Sequence, residues 1–168
     1  KRAVFLDRDG VLNEDHGYVH TVEEFAWLPG AKKSIKHIND QGCLAILVTN
    51  QSGIGRGYYR EETFWELTNW MQKQLHEEGA HLDGVYFCPH HPDAARGEYL
   101  KACDCRKPEP GMIKQAAADW DIDLANSIVI GDKESDLEAG RRAGVGKTCS
   151  VNGVHLYDLV VSLLTAAP

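Results

Sequence analysis

The stretch Val4-Phe5-Leu6-Asp7-Arg8-Asp9-Gly10-Val11-Leu12 decides how this chain is read. Its first three residues are apolar and make a short buried strand. Two carboxylates one residue apart follow, then a glycine that can end the strand. On extended backbone residues i and i+2 point the same way, so Asp7 and Asp9 can face one site. That site falls at the carboxyl end of a strand, where open α/β sheets place their ligands. Carboxylates so close repel unless a cation, a proton or a cationic substrate group stands with them. A polar strand-to-loop turn would use the same residues, and three further segments weigh against that bland reading.

In Leu44-Ala45-Ile46-Leu47-Val48-Thr49-Asn50-Gln51-Ser52-Gly53 an apolar run again ends in small polar residues, whose hydroxyls, amides and backbone N–H groups suit phosphate oxygens. Cys105-Arg106-Lys107-Pro108-Glu109-Pro110-Gly111 is a Pro-flanked loop carrying two cations. Ser127-Ile128-Val129-Ile130-Gly131-Asp132-Lys133-Glu134-Ser135-Asp136 is a strand ending in Gly-Asp. A helix starting after Asp132 would put Asp136 about one turn further on.

Strands are predicted at Ala3–Leu6, Leu44–Val48, Val85–Phe87, Ile128–Ile130 and Val145–Ser150. Helical periodicity lies between them, over Gly30–Gln41, Glu61–Glu78, Gly111–Trp120, Ser135–Ala143 and Val154–Leu164. In Glu61–Glu78 the residues Phe64, Leu67, Trp70, Met71 and Leu75 form one stripe, read as core packing. Alternating strand and helix predict an α/β three-layer, Rossmann-like fold with a mainly parallel sheet. One domain is expected over residues 1–168, with no block large enough for a cap domain. Substrate selection is then left to the loops Asn13–Trp27, Gly53–Arg60 and Pro89–Pro110.

The net charge is −7, without a Lys/Arg-rich run, which argues against nucleic acid as a partner. A phosphorylated small molecule stays compatible, because local cations and a metal dominate a small site. No apolar run reaches the roughly 20 residues needed to span a bilayer, and no signal-peptide pattern opens the chain. A cytoplasmic monomer with no membrane partner is expected.

Cys88, His90, Cys103 and Cys105 form C-x-H-x12-C-x-C, two close pairs that can supply four tetrahedral zinc ligands. Disulfides are the alternative. The five cysteines are an odd count, and a chain without a secretion signal stays reduced. The cluster lies in the longest stretch without clear periodicity and directly precedes Arg106-Lys107. His91 reads as a non-ligand, and Cys43 and Cys149 as small buried residues.

Taken in order, strand–Asp-x-Asp, strand–Thr, loop Lys and strand–Gly-Asp-x3-Asp resemble the four motifs of the haloacid dehalogenase superfamily, from Asp7 to Asp136. Within it, four segments resemble the heptose-bisphosphate phosphatase family, whose nearest alternative is the histidinol-phosphate phosphatases. They are Asp15-His16-Gly17-Tyr18-Val19-His20, Thr49 to Gly57, Cys88-Pro89-His90-His91-Pro92 and Cys103-Asp104-Cys105-Arg106-Lys107-Pro108. The resemblance implies a Mg²⁺-dependent phosphatase of nucleotide-activated heptose synthesis, with a structural zinc at Cys88, His90, Cys103 and Cys105. Asp7 would be the nucleophile and Asp9 the general acid and base, with Mg²⁺ on Asp7, Asp9 through its backbone carbonyl, and Asp132. Asp136 would support the Mg²⁺ shell through Lys133 or water, and Thr49, Asn50 and Lys107 would hold the phosphoryl oxygens. Arg106 would grip a distal phosphate. Asp15, His16, Gly17, Tyr18, Gln51 and Ser52 would read sugar hydroxyls, with Lys133 a further substrate contact.

Overall fold

A computed structural model describes residues 1–165, with no side-chain description at 165; residues 166–168 of the expected domain lie outside the described residues. Five strands form one parallel sheet: β1 (Ala3–Leu6), β2 (Leu44–Asn50), β3 (Gly84–Cys88), β4 (Ile128–Gly131) and β5 (Lys147–Ser150), in the order β3-β2-β1-β4-β5. The helices are α1 (Ala31–Asp40), the single turn α2 (Ser52–Gly55), α3 (Glu61–His76), α4 (Gly111–Trp120), α5 (Glu134–Ala143) and α6 (Leu156–Thr165).

Strand alternation builds the layers. Val4, Leu6, Ala45, Leu47, Ile128 and Ile130 point to one face, against Ile35 and Ile38 of α1, Leu67 and Met71 of α3, and Val160 of α6. Ala3, Phe5, Ile46, Val48 and Val129 point to the other, against Met112, Ile113 and Ala116 of α4 and Ala139 of α5. Buried on both faces, the central strands read as continuous apolar runs rather than alternating ones.

The chain winds outward from β1 through β2 to β3, then crosses back to add β4 and β5 on the other side. The winding direction therefore reverses between β1 and β4, and a crevice opens at their carboxyl ends. That crevice positions the site.

Three expectations shift. β2 runs on through Thr49 and Asn50, which pair with Phe87 and Cys88. β5 starts at Lys147, because the Val145 N–H closes the end of α5 on the Gly140 carbonyl and the Gly146 N–H bonds the Leu124 carbonyl. Ser52–Gly55, expected as the edge of a loop, makes a helical turn.

Candidate active site

Leu6 pairs with Leu47 and Ile130, and one residue later Asp7 donates its N–H to the Ile130 carbonyl at 3.4 Å. The carboxylate thus emerges between two neighbouring strands. Lys107 Nζ donates to Asp7 Oδ1 at 2.8 Å and to the Val48 carbonyl at 2.9 Å, and lies 2.6 Å from Asp136 Oδ1. All three side chains are buried. Asn50 fixes the lysine from its backbone: the Lys107 N–H donates to Asn50 Oδ1 at 3.0 Å, and Asn50 Nδ2 donates to the Lys107 carbonyl at 3.3 Å. Asp136 thus meets Lys107 directly, in addition to its link with Lys133, which runs through the Lys133 backbone N–H.

Asp136 Oδ2 accepts the N–H groups of Asp132 (3.2 Å) and Lys133 (3.1 Å), closing the turn after β4. Gly131 leaves room for that return, since a Cβ there would stand 2.3 Å from Asp136 Cβ. Gly10 does the same for Asp132. Its φ is +87°, and a Cβ would stand 2.1 Å from Asp132 Oδ2.

The electrostatics are those of a cation site. Burial pushes the Asp7 carboxyl up to about 7, with Lys107 pulling it down and Asp136 and Asp9 adding to the rise. Burial and then the Asp136 charge raise Asp132. Burial alone would lower Lys107, but the Asp7 and Asp136 carboxylates outweigh it and hold the ammonium charged. Asp7, Asp132 and Asp136 offer oxygens within 4.8 Å of one another. Asp136 has both oxygens engaged, whereas the buried Asp132 Oδ1 has no hydrogen-bond partner. A hard divalent cation fits here, with Asp7 and Asp132 as its carboxylate ligands.

Asp9 stands beside this group and is held from two sides. Arg8 Nη2 (3.1 Å) and Asn13 Nδ2 (2.9 Å) donate to its Oδ1, and Gln51 Nε2 donates to its Oδ2 at 3.4 Å. Gln51 also donates to Thr49 Oγ1 at 2.9 Å and accepts the Tyr59 hydroxyl. Its buried amide meets Asp9, Thr49 and Tyr59 at the floor of the site. Arg8, fully buried, anchors itself by donating to the Val19 carbonyl at 2.6 Å.

A cleft of about 600 Å³ opens above, lined by Asp7, Asp9, Asn50, Gln51 and Lys107 together with the expected Asp15, Gly17, Tyr18, Ser52, Arg106 and Lys133. His16 is not brought in: it is exposed and pairs with Glu14 at 3.2 Å. Thr49 is buried with its hydroxyl taken by Gln51, so it meets the cleft indirectly. Arg8, Asn13, Arg56 and Tyr59 were missed as site residues. Arg56 and Tyr59 sit in a loop flagged for substrate selection, and nothing local distinguishes Arg8 or Asn13 from turn residues.

Cys88, at the end of β3, meets His90, Cys103 and Cys105, with all ligating atoms within 4.8 Å. Cys103 Sγ lies 3.5 Å from Cys88 Sγ and 3.4 Å from Cys105 Sγ, and His90 Nδ1 lies 3.4 Å from Cys105 Sγ. Tetrahedral zinc would set sulfurs about 3.7 Å apart; two pairs approach that spacing and Cys88–Cys105 is closer, at 2.7 Å, so it is the chemistry of three thiols and an imidazole gathered together that fits the metal. The cysteines are free, and disulfide bonding is not realised. Cys105, sharing a hydrogen with Cys88, is pushed down to about 5, the thiolate form a metal requires. His91 stays outside the cluster, its Nδ1 accepting the N–H groups of Asp93 and Ala94. Cys43 is buried as expected, while Cys149 is only half-buried.

A parallel sheet with an aspartate at the β1–β4 switch point, met by a lysine and a Gly-Asp turn, defines a haloacid dehalogenase-like hydrolase, and the HAD-hydrolase-like family model matches residues 104–158. The chain is 50% identical to a D-glycero-beta-D-manno-heptose-1,7-bisphosphate 7-phosphatase of Haemophilus ducreyi, over 98% of this chain and 94% of the relative. It is 52% identical to the alpha-directed counterpart of Burkholderia mallei, over 88% and 78% respectively. A crystal structure of D,D-heptose 1,7-bisphosphate phosphatase from B. bronchiseptica, complexed with magnesium and phosphate, superposes with a TM-score of 0.87 at 30% identity, covering 99% of this chain and 100% of that one. This chain belongs to the D-glycero-D-manno-heptose-1,7-bisphosphate 7-phosphatase family.

Proposed function

We propose that the protein removes the 7-phosphate of D-glycero-D-manno-heptose 1,7-bisphosphate, in the synthesis of nucleotide-activated heptose for lipopolysaccharide or surface glycan. The observation that carries this is the buried Asp7 carboxylate 2.8 Å from Lys107 Nζ, beside the orphaned Asp132 oxygen, in a chain 50% identical to such a phosphatase. Asp7 attacks phosphorus, and its new bond forms as the bond from phosphorus to the sugar oxygen breaks. Asp9 gives its proton to that leaving oxygen, then takes one from the water that attacks the aspartyl-phosphate. Arg8, Asn13 and Gln51 hold the Asp9 carboxyl in place for both transfers. Lys107 and the Thr49–Asn50 strand end face the equatorial oxygens, where charge spreads in the transition state. Bound through Asp7, Asp132 and the Asp9 carbonyl, Mg²⁺ would supply further positive charge to those oxygens. Zinc at Cys88, His90, Cys103 and Cys105 would order the loop that delivers Arg106 and Lys107.

Arg106 takes the phosphate that is not cleaved, as a guanidinium fork suits it. Asp15, Gly17, Tyr18 and Ser52 read sugar hydroxyls, and Lys133 lies at the metal side of the cleft. The protein works as a monomer, one domain over residues 1–168, in the cytoplasm, without nucleic acid or membrane partners. In support, no helix among the described residues is long and apolar enough to cross a membrane, and the net charge is −7.

Initial rates on the α- and β-bisphosphates and on histidinol phosphate, with Mg²⁺, test this reading. One bisphosphate anomer should be the best substrate by kcat/KM. Histidinol phosphate turning over faster than both would refute it in favour of histidine biosynthesis.

A further inference from the structure

Four cationic side chains line the cleft: Arg56, Arg106, Lys107 and Lys133. Lys107 is answered by Asp7 and Asp136. The Lys133 charge acts on Asp132, drawing its carboxyl down against burial. Among the described residues no carboxylate pairs with either arginine. Arg56 Nε instead donates to Ser52 Oγ at 3.4 Å, and its guanidinium carbon lies 5.6 Å from the Tyr18 ring centroid. Arg106 Nη1 donates to the His90 carbonyl at 3.5 Å. Each of these bonds uses one donor of a five-donor fork, leaving most of it to the cleft.

Both guanidiniums line the same cleft. Two cations lining the cleft without a carboxylate partner call for an anion there. Gly53 carries no side chain where a Cβ would stand 2.4 Å from the Tyr59 ring and 3.1 Å from that of Tyr18, so both rings pack against the turn that carries Arg56.

We infer that Arg56 is a specificity residue, the second guanidinium of the subsite that grips the phosphate the substrate keeps. This rests on the bisphosphate reading above. A dianionic group held by two forks is bound more tightly, and oriented more fully, than by Arg106 alone.

The test compares kcat/KM on the preferred heptose bisphosphate with kcat/KM on p-nitrophenyl phosphate, which has no second phosphate. In Arg56→Ala the ratio of the two should fall by about tenfold or more, chiefly through KM on the bisphosphate, as one charged phosphate contact is worth. Arg56→Lys should recover part of the loss. A purely structural role would lower both substrates together, and a ratio within twofold of wild type in Arg56→Ala, repeated in Arg56→Gln with an unchanged melting temperature, would overturn the inference. Wild type is run on histidinol phosphate alongside. A wild-type preference for that substrate would strike the proposed function and this inference together. An unchanged ratio with the bisphosphate preference intact would strike Arg56 alone.

Discussion

Replacing Lys107 with methionine isolates the charge at the centre of the site. Methionine keeps most of the aliphatic stem, so little cavity is left, while the ammonium and its three contacts disappear: Asp7 Oδ1 at 2.8 Å, Asp136 Oδ1 at 2.6 Å and the Val48 carbonyl at 2.9 Å. Two buried carboxylates then face each other uncompensated, with side chains only 10% and 4% exposed. Breaking a buried pair from one side costs about 3–5 kcal/mol. For a chain of this size that is a fall in melting temperature of about 6–20 °C. The sign of the pH dependence follows from the same charges. Burial already raises the Asp7 carboxyl and Lys107 pulls it down, so without the ammonium Asp7 holds its proton in the folded state to still higher pH than in the unfolded chain, and the variant regains stability as pH falls from 8 toward 5. Turnover should drop by about 10²–10³, as for loss of one transition-state donor. Calorimetric melts of metal-free wild type and variant at several pH values, with steady-state rates on an aryl phosphate, provide the check. A variant melting within about 2 °C of wild type at pH 8, or one destabilised further by mild acid than wild type is, would refute the claim that Lys107 neutralises this pair.

Asp7→Asn should keep the fold and lose about four orders of magnitude or more in kcat, measured by single-turnover assay with Mg²⁺. Because burial raises the Asp7 carboxyl to about 7, that group destabilises the metal-free fold above this pH, and the penalty fades as pH drops toward 4. Metal-free Asp7→Asn should therefore melt higher than wild type at pH 8, with the gap closing near pH 4 in the same scan. Elemental analysis should find about one zinc per chain in wild type. Cys103→Ser should lose it, along with more than about 4 kcal/mol of stability by urea titration, and wild type with readily titrated thiols and no zinc would contradict the cluster.

Local sequence was enough for the strands that matter most. Val4-Phe5-Leu6 and Ile128-Val129-Ile130 are apolar without alternation, which fits strands covered on both faces, and an aspartate follows directly in the first and after Gly131 in the second. The cysteine–histidine set was legible because metal ligation needs particular side chains at short spacing. Strand ends were less so. Val145 and Gly146 have strand-like neighbours, but their N–H groups are claimed by Gly140 and Leu124, a competition set by where α5 stops.

What only the tertiary structure decided is who meets whom across the crevice. Sequence placed Asp7, Lys107 and Asp136 in separate motifs. Their joining into one buried charge cluster depends on β1 lying between β2 and β4, an order fixed by long-range packing and invisible to any window of sequence. The same holds for Gln51. Its sugar contact was implied by the resemblance alone, and only the fold shows Asp9, Thr49 and Tyr59 gathered around its amide. Arg56 looked like loop, and only the folded cleft leaves its charge without a carboxylate. Motifs report which chemistry a chain can perform, because reactive groups are few and distinctive. The partners that orient them are ordinary residues, chosen by sheet order and register, and only three-dimensional packing reveals them.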